Sequence, residues 1–524
     1  MNHPENTDAK IKFHTIRINR EPQNPEAFIG LGNALHDSGN HEQAVKCFKK
    51  ALELDPENSL AYHGLGNALL ETKDNNAAIA AYQNALRIAP NNIEAHINLG
   101  LAFSAKEENQ KAIESFNRAI KLSPANIKAH INLGNTFMYM NLLDNALECY
   151  KNALIISPDN FEACTNMATA LKEKKLPKEA LIWHSKSLEI NPDYPEAHFN
   201  RALTLLLLGN FKEGWEEHEW RWKKGDYLVH RRDFSQPRWD GSDIKGKTIL
   251  LHAEQGYGDT LQFIRYAPLI AQMGAKVIVE CQPALVSLLK NTEGVNAAVS
   301  KGEAIPDFDL HCPVLSLPLA FKTELSSIPA NIPYIRPSEE IIAKWKKRIG
   351  GNKDRLKVGI SWAGNPEHRN DRNRSCGFEV MKQLLDIHGI DFYNLQVLNK
   401  AGGVHPKLID FTEEIRSFED TAGLISSLDL IVAVDTAVGH LGGAMGKEVW
   451  MMLPYVPDWR WLIDRDDSPW YPSMHLFRQT EPSDWNAVID KIREAIRLKR
   501  YFFFCHRKIL CSFLKKYIAR LVVV

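Results

Sequence analysis

The sequence predicts an all-α repeat solenoid over its first two-fifths, followed by an α/β region built as two doubly wound parallel-sheet domains. Three observations carry that expectation. Pro56, Pro90, Pro124, Pro158 and Pro192 stand 34 residues apart, the mark of a stacked repeat. Small and aromatic residues recur in register with those prolines. After Trp222 the period stops, and short apolar runs of strand character alternate with helical stretches.

Each repeat reads the same way. A small residue marks the core face of the first helix: Gly32, Gly66, Gly100 and Gly134, then Ala168 and Ala202. The second helix carries Ala44, Ala78, Ala112, Ala146 and Ala180, then an aromatic at Phe48, Tyr82, Phe116 and Tyr150, with His184 in the fifth copy. Ala51, Ala85, Ala119 and Ala153 follow. Small residues let two helices approach closely, the aromatic fills the space beside them, and proline ends the second helix. One hairpin cannot bury its own apolar face, so stacked copies share a core. The pattern is identified as the tetratricopeptide repeat (TPR). It covers residues 25–226 as five full copies and an altered sixth, about Asp193 to Trp222, where Gly214 and His218 replace the Ala and the aromatic. That sixth copy is expected to cap the stack. Residues 1–24 form an N-terminal segment, and residues 227–246 are a polar connector containing Pro237.

The chain has 524 residues, with 64 Lys and Arg against 64 Asp and Glu. A balanced charge lacks the basic footprint that nucleic acid requires. Eight cysteines, at 47, 149, 164, 281, 312, 376, 505 and 511, show no CxxC or Cys/His ligand spacing. They read as thiols in a reducing compartment, without a metal site. The first residues have no apolar signal-peptide core, and no run approaches the ~20 apolar residues that cross a bilayer. A cytoplasmic protein with no cofactor is expected.

The repeats leave a polar column on their inner face. Asn98, Asn132, Asn166 and Asn200 stand two residues before the small-residue position, with Gly30 and Gly64 there in the first two copies. Asn33, Asn67 and Asn135 follow the glycine by one. An amide side chain offers both donor and acceptor to a peptide backbone, so a ladder of them suits an extended protein or peptide partner. The same residues also read as bridges between neighbouring helices.

Past the connector, strand-like runs lie at 248–253, 276–280, 357–364, 391–397, 429–434 and 449–454. Each precedes a turn and an amphipathic stretch, the grammar of parallel sheets with crossover helices. They fall into two groups, residues 247–345 and 354–498, either side of a polar helical stretch. Ligands of such sheets bind beyond the carboxyl ends of the strands.

Two strand ends carry candidate chemistry. The first runs into Gln255-Gly256-Tyr257-Gly258-Asp259-Thr260, where Asp259 stands at a helix entrance, equally the place of a plain N-cap. The second ends at Asp435-Thr436 and opens a helix through Ala437, Gly439, His440, Gly442 and Gly443. Small residues and free N–H groups at a helix start suit a diphosphate. Arg369, Arg372 and Arg374 follow the first strand of the second group and could neutralise the same charge. The triplet Asp307-Phe308-Asp309 and the cluster Asp464, Asp466 and Asp467 are discounted as metal sites. Trp459, Trp461, Trp470 and Tyr471 read as the floor of the cleft or as a stacking surface for a base or sugar. The tail, residues 499–524, is basic and apolar, and reads as a membrane-surface helix, an element packed on the first sheet domain, or an extension without a fold role.

The blocks QGYGDTLQFIRY and VDTAVGHLGGAMGKEVWMMLPYVPDWRW resemble the heptosyltransferase family, glycosyltransferase family 9, over about Gly246 to Ile496. That family has the GT-B fold, two Rossmann-like domains with the nucleotide-sugar donor held mainly by the second. The resemblance implies a metal-independent, inverting glycosyltransferase. It implies Asp259 as the base, Asp435, Thr436, Ala437, Gly439 and His440 around the donor, and Arg374 on its phosphates. Ser375-Cys376-Gly377 and Gly442 depart from the family's usual proline and alanine. The architecture and the asparagine column are similar to those of the O-linked N-acetylglucosamine transferases. A second class stays open, a non-catalytic TPR scaffold with a degenerate sheet region.

Overall fold

The computed structural model describes residues 4–350, 355–368, 370–397 and 405–507, with side chains from residue 7 to residue 501. The chain divides into two compact units, Met1–Ala197 and His198–Val524.

In the first unit the repeats are helical hairpins: Pro25–Asp37 with His41–Leu54, Ser59–Glu71 with Asn75–Ile88, Ile93–Ala105 with Asn109–Leu122, Ile127–Tyr139 with Leu143–Ile156, and Phe161–Glu173 with Pro177–Ile190. The segment ahead of them is itself a helix, Pro4–Arg20, whose His14 ring lies where a side chain on Gly30 would fall. The small-residue column exists because the aromatics need the space. A Cβ on Gly100 would fall 2.6 Å from the Phe116 ring, and one on Gly134 2.5 Å from the Tyr150 ring.

Two further columns hold the hairpins in register. Asn58, Asn92, Asn126 and Asn160 each accept the backbone N–H of the alanine three residues on, at 2.8–3.1 Å, which caps the first helix of each repeat. The turn inside each hairpin places one residue at positive φ: Gly39, Lys73, Glu107, Asn141 and Lys175. Gly39 and, less freely, Asn141 are residue types that bear that conformation; the two lysines and the glutamate are not.

The sixth hairpin differs from the expected cap. A capping repeat keeps a polar outer face, yet Phe211 and Trp215 are buried in one core with Trp239, Ile249, Trp459 and Trp470. The Trp215 indole N–H donates to the Thr323 carbonyl at 2.9 Å. From His198 onward this hairpin is the first layer of the α/β unit.

That unit contains two parallel sheets among the described residues. The first joins β1 (Thr248–His252), β2 (Lys276–Cys281), β3 (Ala297–Ser300) and β4 (Leu310–Pro313) in the order β3-β2-β1-β4. The second joins β5 (Leu356–Ser361), β6 (Ile390–Asn394), β7 (Leu408–Ile409), β8 (Leu430–Val434), β9 (Val449–Leu453) and β10 (Met474–Arg478) in the order β10-β9-β8-β5-β6-β7. Each chain path steps outward from a central strand, then crosses back to the other side. In the second sheet this is the Rossmann order, with its switch point between β5 and β8. In the first sheet the switch lies between β1 and β4. The fold class read from the sequence is thus the observed one. All six strand-like runs are strands, whereas β3, β4, β7 and β10 are short or edge strands that the apolar pattern did not mark. The helix Trp485–Arg507 runs into the tail, and residues 508–524 lie outside the described residues. No described helix is long and apolar enough to cross a membrane.

Candidate functional site

The two candidate strand ends come together. β1 leads through Glu254, Gln255 and Gly256 into the helix Tyr257–Phe263, and β8 leads through Asp435 and Thr436 into the helix Ala437–Ala444. Gly258 packs against the second of these helices: a Cβ on it would lie 2.9 Å from His440 Cδ2. Glycine is therefore needed there for close approach.

Asp259 is more than an N-cap. One carboxylate oxygen accepts the Gly256 backbone N–H at 3.2 Å, which does close the helix start. The other accepts Arg460 Nη2 at 2.5 Å, from the turn Trp459–Trp461 beyond β9. Asp435 is held in a similar way. It accepts the Trp461 indole N–H at 2.9 Å and lies 3.5 Å from His440 Nε2, while His440 Nδ1 meets the Tyr471 hydroxyl at 2.9 Å. Burial works against the Asp435 charge, but the His440 and Trp461 contacts and the Arg460 charge outweigh it and hold this carboxyl below its ordinary range.

Thr436 is the N-cap of the helix Ala437–Ala444 but makes no capping bond. Its hydroxyl oxygen is buried without a partner, and the first-turn N–H groups receive no cap from it. Ala437 is half-buried, and Gly439 is buried against Met451.

Arg374 closes the short helix Asp371–Arg374 and donates to Asp371 at 3.1 Å, its guanidinium close against Gly364. His368 lies within electrostatic reach of both Arg374 and Asp259. Burial, then the Arg374 charge, lowers the His368 pKa, while Asp458, Asp259 and Asp371 pull the other way. Its Nδ1 accepts the Asn370 backbone N–H at 3.2 Å, which leaves the ring hydrogen on Nε2. Arg372 is exposed, and Arg369 lies outside the described residues.

The stacking surface offered by Trp459, Trp461, Trp470 and Tyr471 is absent. All four side chains are buried: Trp461 and Tyr471 hydrogen-bond Asp435 and His440, while Trp459 and Trp470 pack in the core with Trp215 and Phe263. Asp309 accepts the Thr248 backbone N–H at 2.7 Å, a role at the start of β1. Asp467 pairs with Arg465. Among the described residues no cluster of three His, Cys, Asp or Glu side chains is placed to hold a metal ion.

Sequence reasoning missed a buried network beneath the Asp259 loop. Arg221 is fully buried and donates to Glu254 at 2.8 and 3.0 Å, to Glu219 at 2.7 Å and to Ser316 at 2.6 Å. The Leu315 backbone N–H completes Glu254 at 3.2 Å. Arg221 and Arg238 hold the Glu219 carboxyl down at about 2 against the cost of burial. Tyr227 joins from the connector through a hydrogen bond with Gln255, within electrostatic reach of Asp259. A charged residue in a helical run, Arg221, reads as surface in a sequence; only the fold shows that it is not.

In the first unit the asparagine column splits. Asn98 donates to Asn67 at 2.9 Å and Asn166 to Asn135 at 3.2 Å, both across to the preceding repeat. Asn67 and Asn135 are fixed in turn by the Tyr82 and Tyr150 hydroxyls, each at 2.8 Å. Asn132, and Asn200 in the second unit, are half-buried, and their backbone carbonyls accept Thr136 and Thr204. Gly64 stands where Asn33 would need its partner and Leu101 where Asn132 would, so bridged and unbridged rungs alternate.

Comparison with known proteins agrees with the repeats. Residues 32–73, 66–106 and 102–141 match a TPR repeat model, and residues 127–160 and 185–216 match tetratricopeptide repeat models. The N-terminal unit is therefore a stack of tetratricopeptide repeats. The chain is similar to Protein FlbA of Caulobacter vibrioides, 24% identical over 327 residues. That match takes in 57% of this chain and 54% of FlbA, so the chain spans about half the length of the curated relative it matches. Among solved structures it is similar to YrrB, described as a TPR protein with an unusual peptide-binding site, at 26% identity over 35% of this chain and 95% of YrrB, TM-score 0.30. It is also similar to MamA, at 28% identity over 31% of this chain and 95% of MamA, TM-score 0.29.

Proposed function

We propose that the α/β unit is a metal-independent, inverting glycosyltransferase that moves a sugar from a nucleotide donor to an acceptor hydroxyl, and that the TPR stack binds the protein or peptide acceptor or partner. One observation carries this reading. The carboxyl edges of two parallel sheets converge, with Gly258 of the first against His440 of the second and Asp259 paired with Arg460 from the turn after β9. Clefts at such edges take nucleotides.

Asp259 takes the acceptor hydroxyl's proton as the acceptor oxygen bonds to the anomeric carbon from the face opposite the diphosphate. The bond from that carbon to the diphosphate breaks in the same step. Charge growing on the diphosphate is met by the N–H groups of the helix Ala437–Ala444 and by Arg374. The unpartnered Thr436 hydroxyl supports this reading, as a group free to bond a donor oxygen. Half-buried amides such as Asn132 suit the backbone of an extended peptide on the repeats.

A second reading rests on the same site. Both Asp259 oxygens already have donors, as in a structural helix start, so the unit would be a non-catalytic remnant beside a binding scaffold. The two separate in one experiment. Melting of the full chain is followed with UDP-, GDP-, ADP- and CMP-linked sugars, and nucleotide release from each is measured. The transferase reading expects one donor to raise Tm, and Asp259→Ala to keep that shift while nucleotide release falls at least ~100-fold. No shift with any donor, or unchanged release by Asp259→Ala, would overturn it.

A further inference from the structure

Arg460 occupies an unusual place for a charged side chain. It is 9% exposed and lies on the turn after β9, yet most of its bonds leave that turn. Nη2 donates to Asp259 at 2.5 Å and Nε to Gln262 at 2.6 Å, both on the helix Tyr257–Phe263 of the first sheet. Nη1 donates to Asp458 at 2.8 Å, and the same Asp458 oxygen accepts the Arg460 backbone N–H at 3.0 Å. The guanidinium lies over the Trp459 ring at 4.3 Å and the Phe263 ring at 5.8 Å. Side chain and backbone are thus fixed from both sheets before any ligand arrives.

The charge around it decides what it does. Asp458 and Asp259 flank the guanidinium directly and Asp435 acts on it at longer range; together they keep it fully charged despite burial. With carboxylates in that number around one cation, no surplus positive charge remains to attract a phosphate. The planar fork also presents separate N–H groups to Asp259, Asp458 and Gln262, a geometry that an ammonium cannot reproduce.

We infer that Arg460 is the positioning residue for Asp259, fixing that carboxylate across the two sheets without itself holding the donor. The inference rests on the transferase reading for its catalytic consequence and on the pair's geometry for its structural one. A carboxylate displaced by about 1 Å loses on the order of 100-fold in rate while donor contacts elsewhere persist.

The test uses the full chain with Arg460→Gln, Arg460→Lys, Asp259→Asn and the double variant Asp259→Asn/Arg460→Gln. Calorimetry with UDP, GDP and ADP measures nucleotide affinity, nucleotide release from sugar donors measures rate, and melting measures stability. Arg460→Gln is expected to lose about 100-fold in kcat with nucleotide Kd within about twofold, and Arg460→Lys to recover only about tenfold. The double variant is expected to be no slower than Asp259→Asn, because both act through one group. A weakened nucleotide Kd with kcat retained would make Arg460 a phosphate ligand and overturn the inference. A double variant slower than either single by the product of their effects would overturn it too. If the wild-type chain releases nucleotide from no donor, the transferase reading has failed, and the melting cycle judges the pair. A double variant no less stable than the worse single supports it; additive losses overturn it.

Discussion

The two units hold their shape by contacts of different reach. In the repeats, the bonds that fix the inner face span short distances in sequence: Tyr82 to Asn67 crosses 15 residues and Asn98 to Asn67 crosses 31. In the α/β unit, Trp215 reaches 108 residues to Thr323, Arg460 reaches 201 to Asp259, and Arg265 reaches 205 to the Trp470 carbonyl. The first unit repeats one solution; the second is assembled once. A stack of nearest-neighbour contacts loses stability locally when damaged, whereas a unit closed by long-range contacts loses it as a whole.

The largest effect should come from the buried Arg221 network. Replacing Arg221 by Met leaves Glu254 and Glu219 buried without their cationic partner, and Glu254, whose pKa burial already raises, must take up a proton, at a cost of about 3–5 kcal/mol for the broken network. Hydrogen exchange should then rise through β1, the 253–259 loop and the helix Tyr257–Phe263, while the hairpins before Ala197 keep their protection. Loss of protection confined to residues 219–223 would break the contrast.

A smaller and local effect is expected at Gly100. Its α-carbon faces the Phe116 ring at a distance that leaves no room for a methyl group, so Gly100→Ala should cost about 1–3 kcal/mol. Exchange should rise in the hairpin Ile93–Leu122 and its immediate neighbours. Adding Phe116→Leu to Gly100→Ala should recover part of the loss in a thermal melt; further loss would mean that the ring does not set the glycine.

The smallest effect has the opposite sign. Lys73, Glu107 and Lys175 hold the left-handed turn position that glycine holds at Gly39. Lys73→Gly should raise stability by about 1 kcal/mol, because the side chain's conflict with the backbone disappears. A lower Tm would show that the lysine makes a contact worth more than the strain it bears.

The same contrast explains what could be read before the structure. The repeats were legible down to single columns, because Gly32, Gly66, Gly100 and Gly134 repeat one packing problem and its solution. The capping asparagines at 58, 92, 126 and 160 are equally periodic, but they lie outside the inner face and so form a second column distinct from the amide ladder. Central strands were legible as apolar runs, since both faces are covered. The edge strands β3 and β7 are short, and β4 reads as Leu310-His311-Cys312-Pro313, which lacks a strand's usual residue types. Asp259, Asp435 and His440 could be chosen from their places at strand ends. Arg460 could not, although it stands in the motif that contains Trp459 and Trp461. Pairing across 201 residues leaves no local trace.

The central claim is that the convergent edges of the two sheets form a nucleotide-sugar site. A crystal structure of the full chain with the sugar nucleotide that raises Tm most would test it directly. The diphosphate is expected at the start of the helix Ala437–Ala444, hydrogen-bonded to its first-turn N–H groups and to Thr436, with the anomeric carbon facing Asp259. A nucleotide bound elsewhere, or an unoccupied cleft at saturating donor, would contradict it.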